Sequence, residues 1–304
     1  MKESKYIWKN NELIPWAEAT THVLTHGLHY GTGVFEGIRV YNTAKGPAVF
    51  QLPLHIERLF DSALIYKMPM PYTKEEITDA LIKLVKENEL TSCYVRPIVY
   101  RGYGVMGLNP KGAPVDVVIA AYEWGSYLGE EGLENGIRAK ISTWKRIDSQ
   151  ILPALAKCTA NYANSVLAKT EAIESGYDEA LMLNLQGNIA EGPGENIFMI
   201  KENKIYTPPI SDSILMGITA LSVIEIAKDL GYEVISKTIK REELFIADEL
   251  FFTGTAAEVT PIREIDGYQI GLASKHAVTK KIQSKFFEIV EGKNEKYSKW
   301  LTFI

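Results

Sequence analysis

Between Ser149 and Ala168 the chain reads SQILPALAKCTANYANSVLA, and Lys157 is its only charged residue. An ammonium set among Leu152, Leu155, Ala156, Cys158 and Ala160 must snorkel to water, pair with a carboxylate, or lose its proton through desolvation. The last outcome makes a nucleophile, because a neutral lysine amine attacks carbonyls and forms a Schiff base with a substrate or an aldehyde cofactor. Other stretches could hold charged groups. Gly217-Ile218-Thr219 opens a helix, where free backbone N–H groups, the helix dipole and a hydroxyl suit a phosphate monoester, although the same triplet is an ordinary helix start. Gly254-Thr255-Ala256 is a comparable turn. Neither has the length of a Walker loop and no GxGxxG follows a strand, so a small phosphate fits better than a nucleotide. Glu191 precedes Gly192-Pro193-Gly194, where a carboxylate is either solvated or set beside backbone that a flat ligand can approach. In Tyr94-Val95-Arg96 strand alternation puts Tyr94 and Arg96 on one face, and a buried arginine there would want an anion. Spacing alone leaves Arg58 on a helix surface. His22, His26, His29 and His55 have no metal-ligand spacing.

The elements that must position these residues come as strands and then helices, twice. Tyr6 to Trp8 and Glu12 to Pro15 form a hairpin around Asn10-Asn11, and Val34 to Tyr41 reads as a strand bearing Gly37. His55 to Tyr66 is an amphipathic helix, and Thr73 to Glu76 opens a second with a capping-box pattern, ending near Leu90. Cys93 to Tyr100 and Val115 to Tyr122 alternate as strands, which makes the first part α+β. Residues 123–135, glycine-bearing and acidic, suit an exposed linker. The second part begins with a strand from Ile137 to Trp144 and passes through the lysine stretch into a helix ending near Ser175. Short strands at Glu179 to Leu185, Gly187 to Glu191, Asn196 to Ile200 and Lys204 to Tyr206 suggest a meander. A helix from Gly217 stopped by Gly231, strands at Glu233 to Ile239 and Glu249 to Thr253, and a helix from about Ser274 to Val290 complete it. The expected domains are 1–122 and 136–304, joined by 123–135.

Composition narrows the class. With 304 residues, 46% hydrophobic and 23% charged, the chain can bury one large or two ordinary cores. A formal charge of −5 argues against nucleic acid or an anionic membrane surface as partner, and no apolar run of about 18 residues suggests a span. Two cysteines, Cys93 and Cys158, make neither a disulfide framework nor a zinc site. The N-terminal MKESKYIWKNNELIP lacks the apolar core of a signal peptide, so a reducing cytoplasm is the expected location.

The order and wording of the motifs carry more than each alone. HYGTGVFEGIR at 29–39, HIERL at 55–59, YVRP at 94–97, AKCTANY at 156–162, EGPGEN at 191–196, GIT at 217–219 and GTAAEVTPI at 254–262 together closely resemble the branched-chain amino acid aminotransferases. These are fold type IV enzymes that use pyridoxal 5'-phosphate, and the resemblance spans about residues 5 to 290. It implies a two-domain α+β fold like that of D-amino-acid aminotransferase, with the cofactor at the domain interface. It implies that Lys157 carries the cofactor, Glu191 pairs with the pyridine nitrogen, and Tyr162 bonds the ring 3-oxygen. Arg58, Leu215, Ile218, Thr219 and Thr255 would complete the cofactor site, with Arg58, Ile218, Thr219 and Thr255 on the phosphate. For the substrate it assigns the α-carboxylate to the Tyr94 hydroxyl and the amides of Thr255 and Ala256. Phe35, Tyr30, Trp124, Tyr127 and Met106 would line an apolar pocket, Gly37 would leave room, and Arg96 would serve a second carboxylate. Tyr30 and the loop carrying Met106 would come from a neighbouring subunit, implying a homodimer or larger homo-oligomer. The implied partners are amino acids and 2-oxo acids: leucine, isoleucine and valine with 2-oxoglutarate. D-amino-acid aminotransferase and aminodeoxychorismate lyase share the lysine and glutamate, and VFEGIR and YVRP separate them from this family. A non-catalytic carrier of the cofactor is the reading of a different class. Cys158-Thr159-Ala160 departs mildly from the glycines that often follow the family's lysine.

Overall fold

A computed structural model describes residues 1–125, 127–272 and 275–304. The chain divides into two compact units, the first comprising 1–125, 156–160 and 289–304, and the second the remaining described residues up to 288. No helix among the described residues is long and apolar enough to cross a membrane.

In the first unit one eight-stranded sheet runs in the order Leu301–Phe303, Gly46–Phe50, Ile38–Thr43, Cys93–Arg101, Val115–Tyr122, Tyr6–Lys9, Glu12–Pro15, with Gly33–Phe35 also paired to Cys93–Arg101. The helices Leu52–Ile65 and Lys74–Glu87 supply Ile56, Leu59, Ala63, Ile77, Leu81 and Leu84 to a core shared with Val40, Val95, Val99, Val117 and Ile119. The second helix starts as its sequence predicts: Thr73 Oγ1 accepts from the Glu76 amide at 3.2 Å, and the Glu76 carboxylate accepts from the Thr73 amide at 2.7 Å.

The strand expected over Val34 to Tyr41 is interrupted, and the cause is local. Gly33–Phe35 and Ile38–Thr43 keep a single register against Cys93–Arg101, with Phe35 opposite Ile98 and Ile38 opposite Val95. Glu36 donates its amide to the Pro97 carbonyl at 2.9 Å, but Pro97 has no N–H to return, so the ladder lapses at Glu36 and Gly37. Side-chain alternation persists across the gap. Val34, Ile38 and Val40 are wholly buried on the helix side, while Phe35, Gly37, Tyr94 and Arg96 belong to the opposite face. Ala156–Ala160 joins this unit as an edge: Val34 and Cys158 form an antiparallel bridge, Phe35 N donates to Lys157 O at 3.0 Å, and Thr159 N donates to Gly33 O at 2.8 Å. Leu301–Phe303 pairs with Gly46–Phe50. Stretches far beyond residue 135 in sequence therefore belong to the first unit.

The second unit has its own eight-stranded sheet, ordered Val234–Ser236, Lys204–Thr207, Asn196–Lys201, Glu249–Gly254, Glu258–Ile265, Ile137–Ile141, Glu179–Leu181, with Tyr268–Gln269 beside Glu258–Ile265. The expected meander gives way to a mixed sheet. Ile137–Ile141 lies parallel to both Glu179–Leu181 and Glu258–Ile265, with the helix Asn161–Glu174 as the crossover to the former, and Lys204–Thr207 is parallel to Val234–Ser236. The central strands Asn196–Lys201 and Glu249–Gly254 are buried on both faces, with Phe198 stacked on Phe251 at 5.0 Å. Short-range alternation cannot reveal strands of that kind. Residues 187–191, expected as a strand, instead form a turn-bounded return, in which Asn184 N donates to Asn188 O and Ala190 N to Met182 O. The last long helix is Ala277–Val290, and its expected start at Ser274 lies outside the described residues. Part of the expected linker is the helix Gly129–Asn135.

Candidate functional site

On the first unit's sheet, the face opposite the helices gathers several of the expected residues. Lys157 lies across the edge from Phe35 and is partly buried, with its Nζ 5.0 Å from the centre of the Phe35 ring. Its backbone is tied to the helix Leu52–Ile65, where the Ser62 hydroxyl accepts from Lys157 N at 3.1 Å. Of the apolar neighbours named in the sequence, Ala156 and Cys158 are buried, whereas Leu155 is exposed. The Arg96 guanidinium lies over Phe35 at 4.7 Å and over Tyr94 at 5.4 Å, and it forms no ion pair among the described residues. Trp124 packs edge-on against Tyr94 with ring centroids 4.9 Å apart. Gly37 is required by contact: a Cβ there would stand 1.9 Å from the Tyr94 hydroxyl oxygen. Tyr30 is tied to the segment that carries Met106, since the Tyr30 hydroxyl accepts from Gly107 N at 3.2 Å and the buried His26 contacts the Gly107 carbonyl at 2.9 Å. The surrounding surface is apolar and exposed, with Val23, Leu28, Tyr103 and Leu108 as well as Met106 itself.

Arg58 is less superficial than its spacing suggests. Its side chain is 14% exposed, its Nε donates to Glu36 Oε1 at 2.6 Å, and its Nη2 donates to Glu36 Oε2 at 2.9 Å. His55 Nδ1 also meets Glu36 Oε2, at 2.8 Å, and both residues are buried. Burial raises the Glu36 carboxyl pKa, but the Arg58 charge and the hydrogen bonds from His55 and Arg58 outweigh it, holding the group well below the usual carboxylate range. Burial pushes His55 down against the opposing pull of Glu36, which favours the uncharged ring. Neither Glu36 nor His55 was singled out from sequence as functional. The signal was available: in the row Val34, Glu36, Ile38, Val40 a lone carboxylate occupies an inward position of an apolar strand face.

The second unit positions the other expected residues. Glu191 is 4% exposed, and its Oε1 stands 2.8 Å from Arg146 Nε. Its Oε2 accepts from Asn196 Nδ2 at 3.1 Å and from Leu215 N at 3.0 Å. Asn196 Nδ2 also donates to Leu215 O at 2.8 Å. A Cβ on Gly217 would lie 1.9 Å from Asn196 Oδ1, so glycine there is what lets Asn196 reach across. Gly217 then caps the twelve-residue helix Ile218–Asp229 without a side-chain hydrogen bond, and Ile218 and Thr219, its first residues, are buried. Thr255 and Ala256 form the turn between Glu249–Gly254 and Glu258–Ile265, and Tyr162 is the second residue of Asn161–Glu174. Tyr127 lies under Lys169, whose Nζ is 5.1 Å from its ring and 2.7 Å from Glu179 Oε2. Arg146 was missed in the sequence reading, because it stands in an irregular stretch between a strand and the lysine segment.

The first unit offers a partly buried lysine and a guanidinium fixed by a carboxylate, and the second, taken by itself, a buried carboxylate held by an arginine and an uncapped helix start bearing a hydroxyl. The family model for amino-transferase class IV matches residues 33–265. The chain belongs to the class IV aminotransferase family. The branched-chain-amino-acid aminotransferase of Pseudomonas aeruginosa is 50% identical over 298 residues, covering 98% of this chain and 97% of that protein. The crystal structure of the Escherichia coli branched-chain amino acid aminotransferase aligns with a TM-score of 0.96 at 46% identity, over 98% of this chain and 99% of the other. That of the T.th. branched-chain amino acid aminotransferase complexed with N-(5'-phosphopyridoxyl)-L-glutamate aligns with a TM-score of 0.95 at 43% identity, over 100% and 99%. The class IV aminotransferase fold and a transaminase activity follow from these matches.

Proposed function

We propose that the chain transfers amino groups reversibly between L-leucine, L-isoleucine or L-valine and 2-oxoglutarate, using pyridoxal 5'-phosphate carried on Lys157. The observation that carries this reading is Arg96, a guanidinium with no ion pair among the described residues, stacked over Phe35. Beside an apolar ring it offers a counter-charge that glutamate needs and leucine does not. The complex of the T.th. relative with a phosphopyridoxyl-glutamate adduct supports both cofactor and acidic partner.

The residues fit the cofactor by their chemistry. Glu191, a carboxyl group paired with Arg146, suits a protonated pyridine nitrogen. The amides of Ile218 and Thr219, the Thr219 and Thr255 hydroxyls and Arg58 suit a phosphate, and Tyr162 suits the ring oxygen. When bound, the cofactor supplies an electron sink for the amino acid's α-carbon. With the cofactor bound, the free Lys157 amine would take the proton from the amino acid's α-carbon and deliver it to the cofactor's C4′. Tyr94 and the turn amides of Thr255 and Ala256 hold the α-carboxylate, and Phe35, Trp124 and Tyr127 exclude water around an aliphatic side chain. Tyr30 and Met106 act in the pocket of a second copy of the chain, a role supported by the exposed apolar surface on which they lie.

Absorbance of the purified protein tests the whole reading. L-leucine alone should remove the cofactor's aldehyde-form band, and 2-oxoglutarate alone should restore it. A protein that carries the cofactor yet leaves the band unchanged with leucine, isoleucine and valine would be a different class IV enzyme or a carrier.

A further inference from the structure

The Glu36–Arg58–His55 cluster is more elaborate than charge neutralisation of a buried carboxylate requires. Glu36 is fully buried on an otherwise apolar strand face, and a core of this type is better served by an aliphatic residue unless the charge has a task. Its two oxygens take the Nε and Nη2 donors of Arg58 in a parallel fork, at 2.6 and 2.9 Å. A guanidinium is rigid and planar, so two bonds along one edge fix the direction of its remaining donors. The carboxylate is itself braced: His55 Nδ1 at 2.8 Å and the Gly37 amide at 3.2 Å both meet Oε2. The brace comes from the strand and the helix together, because Glu36 lies where the ladder lapses at Pro97 and Arg58 is one turn below Ser62, the residue bonded to Lys157 N. Of the charged pair, only Arg58 keeps some exposure.

We propose that Glu36, supported by His55, is a positioning residue that presents Arg58 to the cofactor phosphate. The inference rests on the reading of Arg58 as a phosphate ligand. It predicts a cost that depends on the phosphate rather than on the pyridine ring. The charge balance alone predicts the reverse, since removing a nearby anion should make Arg58 more attractive to a phosphate.

Binding of pyridoxal 5'-phosphate and of pyridoxal to apoenzyme, obtained by resolving the holoenzyme with an amino donor, separates these alternatives. Both ligands carry the aldehyde for Lys157, and only one carries the phosphate. Glu36→Gln should weaken pyridoxal 5'-phosphate roughly 10- to 100-fold while leaving pyridoxal within about threefold of wild type. Glu36→Asp, which keeps the charge and withdraws it by one methylene, should show the same selectivity and serves if the glutamine variant does not fold. On an Arg58→Ala background, Glu36→Gln should cost nothing further. Equal losses for the two ligands, or tighter phosphate-dependent binding, would overturn the proposal. If Arg58→Ala itself fails to separate the two ligands, the assignment of Arg58 to the phosphate is wrong, an outcome distinct from selectivity in Arg58→Ala that is missing in the Glu36 variants.

Discussion

The Tyr94 hydroxyl occupies the space that any side chain at position 37 would need, 1.9 Å from where a Cβ on Gly37 would stand. Gly37 lies in the gap between two paired segments of one register, opposite Arg96 by count, so its missing side chain clears the face that also carries Phe35 and Tyr94. Gly37→Ala should displace the far end of Tyr94 rather than the backbone. The expected result is a fall of roughly 10- to 100-fold in kcat/KM for leucine and glutamate alike, with thermal stability changed by about 1 kcal/mol or less. Steady-state kinetics beside a thermal melt would check this, and full activity would show that the Tyr94 hydroxyl does not bind the common α-carboxylate.

Arg96 should distinguish the two amino donors. Arg96→Leu removes the counter-charge while retaining bulk over Phe35, so the half-reaction with L-glutamate should slow roughly 100-fold and that with L-leucine by threefold or less. Each half-reaction can be followed alone by cofactor absorbance. Equal losses for both donors would assign Arg96 to bracing the strand.

Arg146 and Glu191 form a nearly buried pair, each side chain 6% exposed. Removing the cation alone strands a charge, and Arg146→Met should destabilise the protein by about 3 kcal/mol. Glu191→Gln in the same chain should recover much of that loss without recovering transamination, because the neutral amide cannot keep a pyridine nitrogen protonated. Denaturant unfolding of the two single variants and the double variant measures the coupling.

Two buried carboxylates of the second unit give a pH signature. Burial raises Glu179, and burial together with the neighbouring Glu179 charge pushes Glu195 up to about 8. The folded protein therefore holds a proton that the unfolded chain has released above about 4.5. That contribution to stability is complete below pH 4.5 and is lost as the pH rises through 8. The melting temperature should decline between about pH 4.5 and 8, and Glu195→Gln should flatten the decline. An unchanged slope in Glu195→Gln would place the titration elsewhere.

Much of this was legible in the sequence because motif order identifies a family even where single spacings do not. Lys157 stood out as a charge in an uncharged stretch, Thr73 to Glu76 gave a capping box, and Gly217-Ile218-Thr219 marked a helix start. The residues that hold the expected ones were harder to see. Arg58 looked superficial because helical spacing does not show a carboxylate approaching from a strand, and Glu36 passed unremarked inside a motif valued for its neighbours. Arg146 meets Glu191 across a sequence separation of 45 residues, a proximity that comes from the parallel crossover between Ile137–Ile141 and Glu179–Leu181. Parallel pairing is a long-range property, and the short strands of the second unit carried no local sign of it.

Borohydride trapping followed by peptide mass mapping tests the central claim most directly. Reduction of the resting protein should place a phosphopyridoxyl group on Lys157, prior treatment with L-leucine should abolish that label, and 2-oxoglutarate should restore it. A label on another lysine, or one on Lys157 that survives L-leucine, would contradict the account.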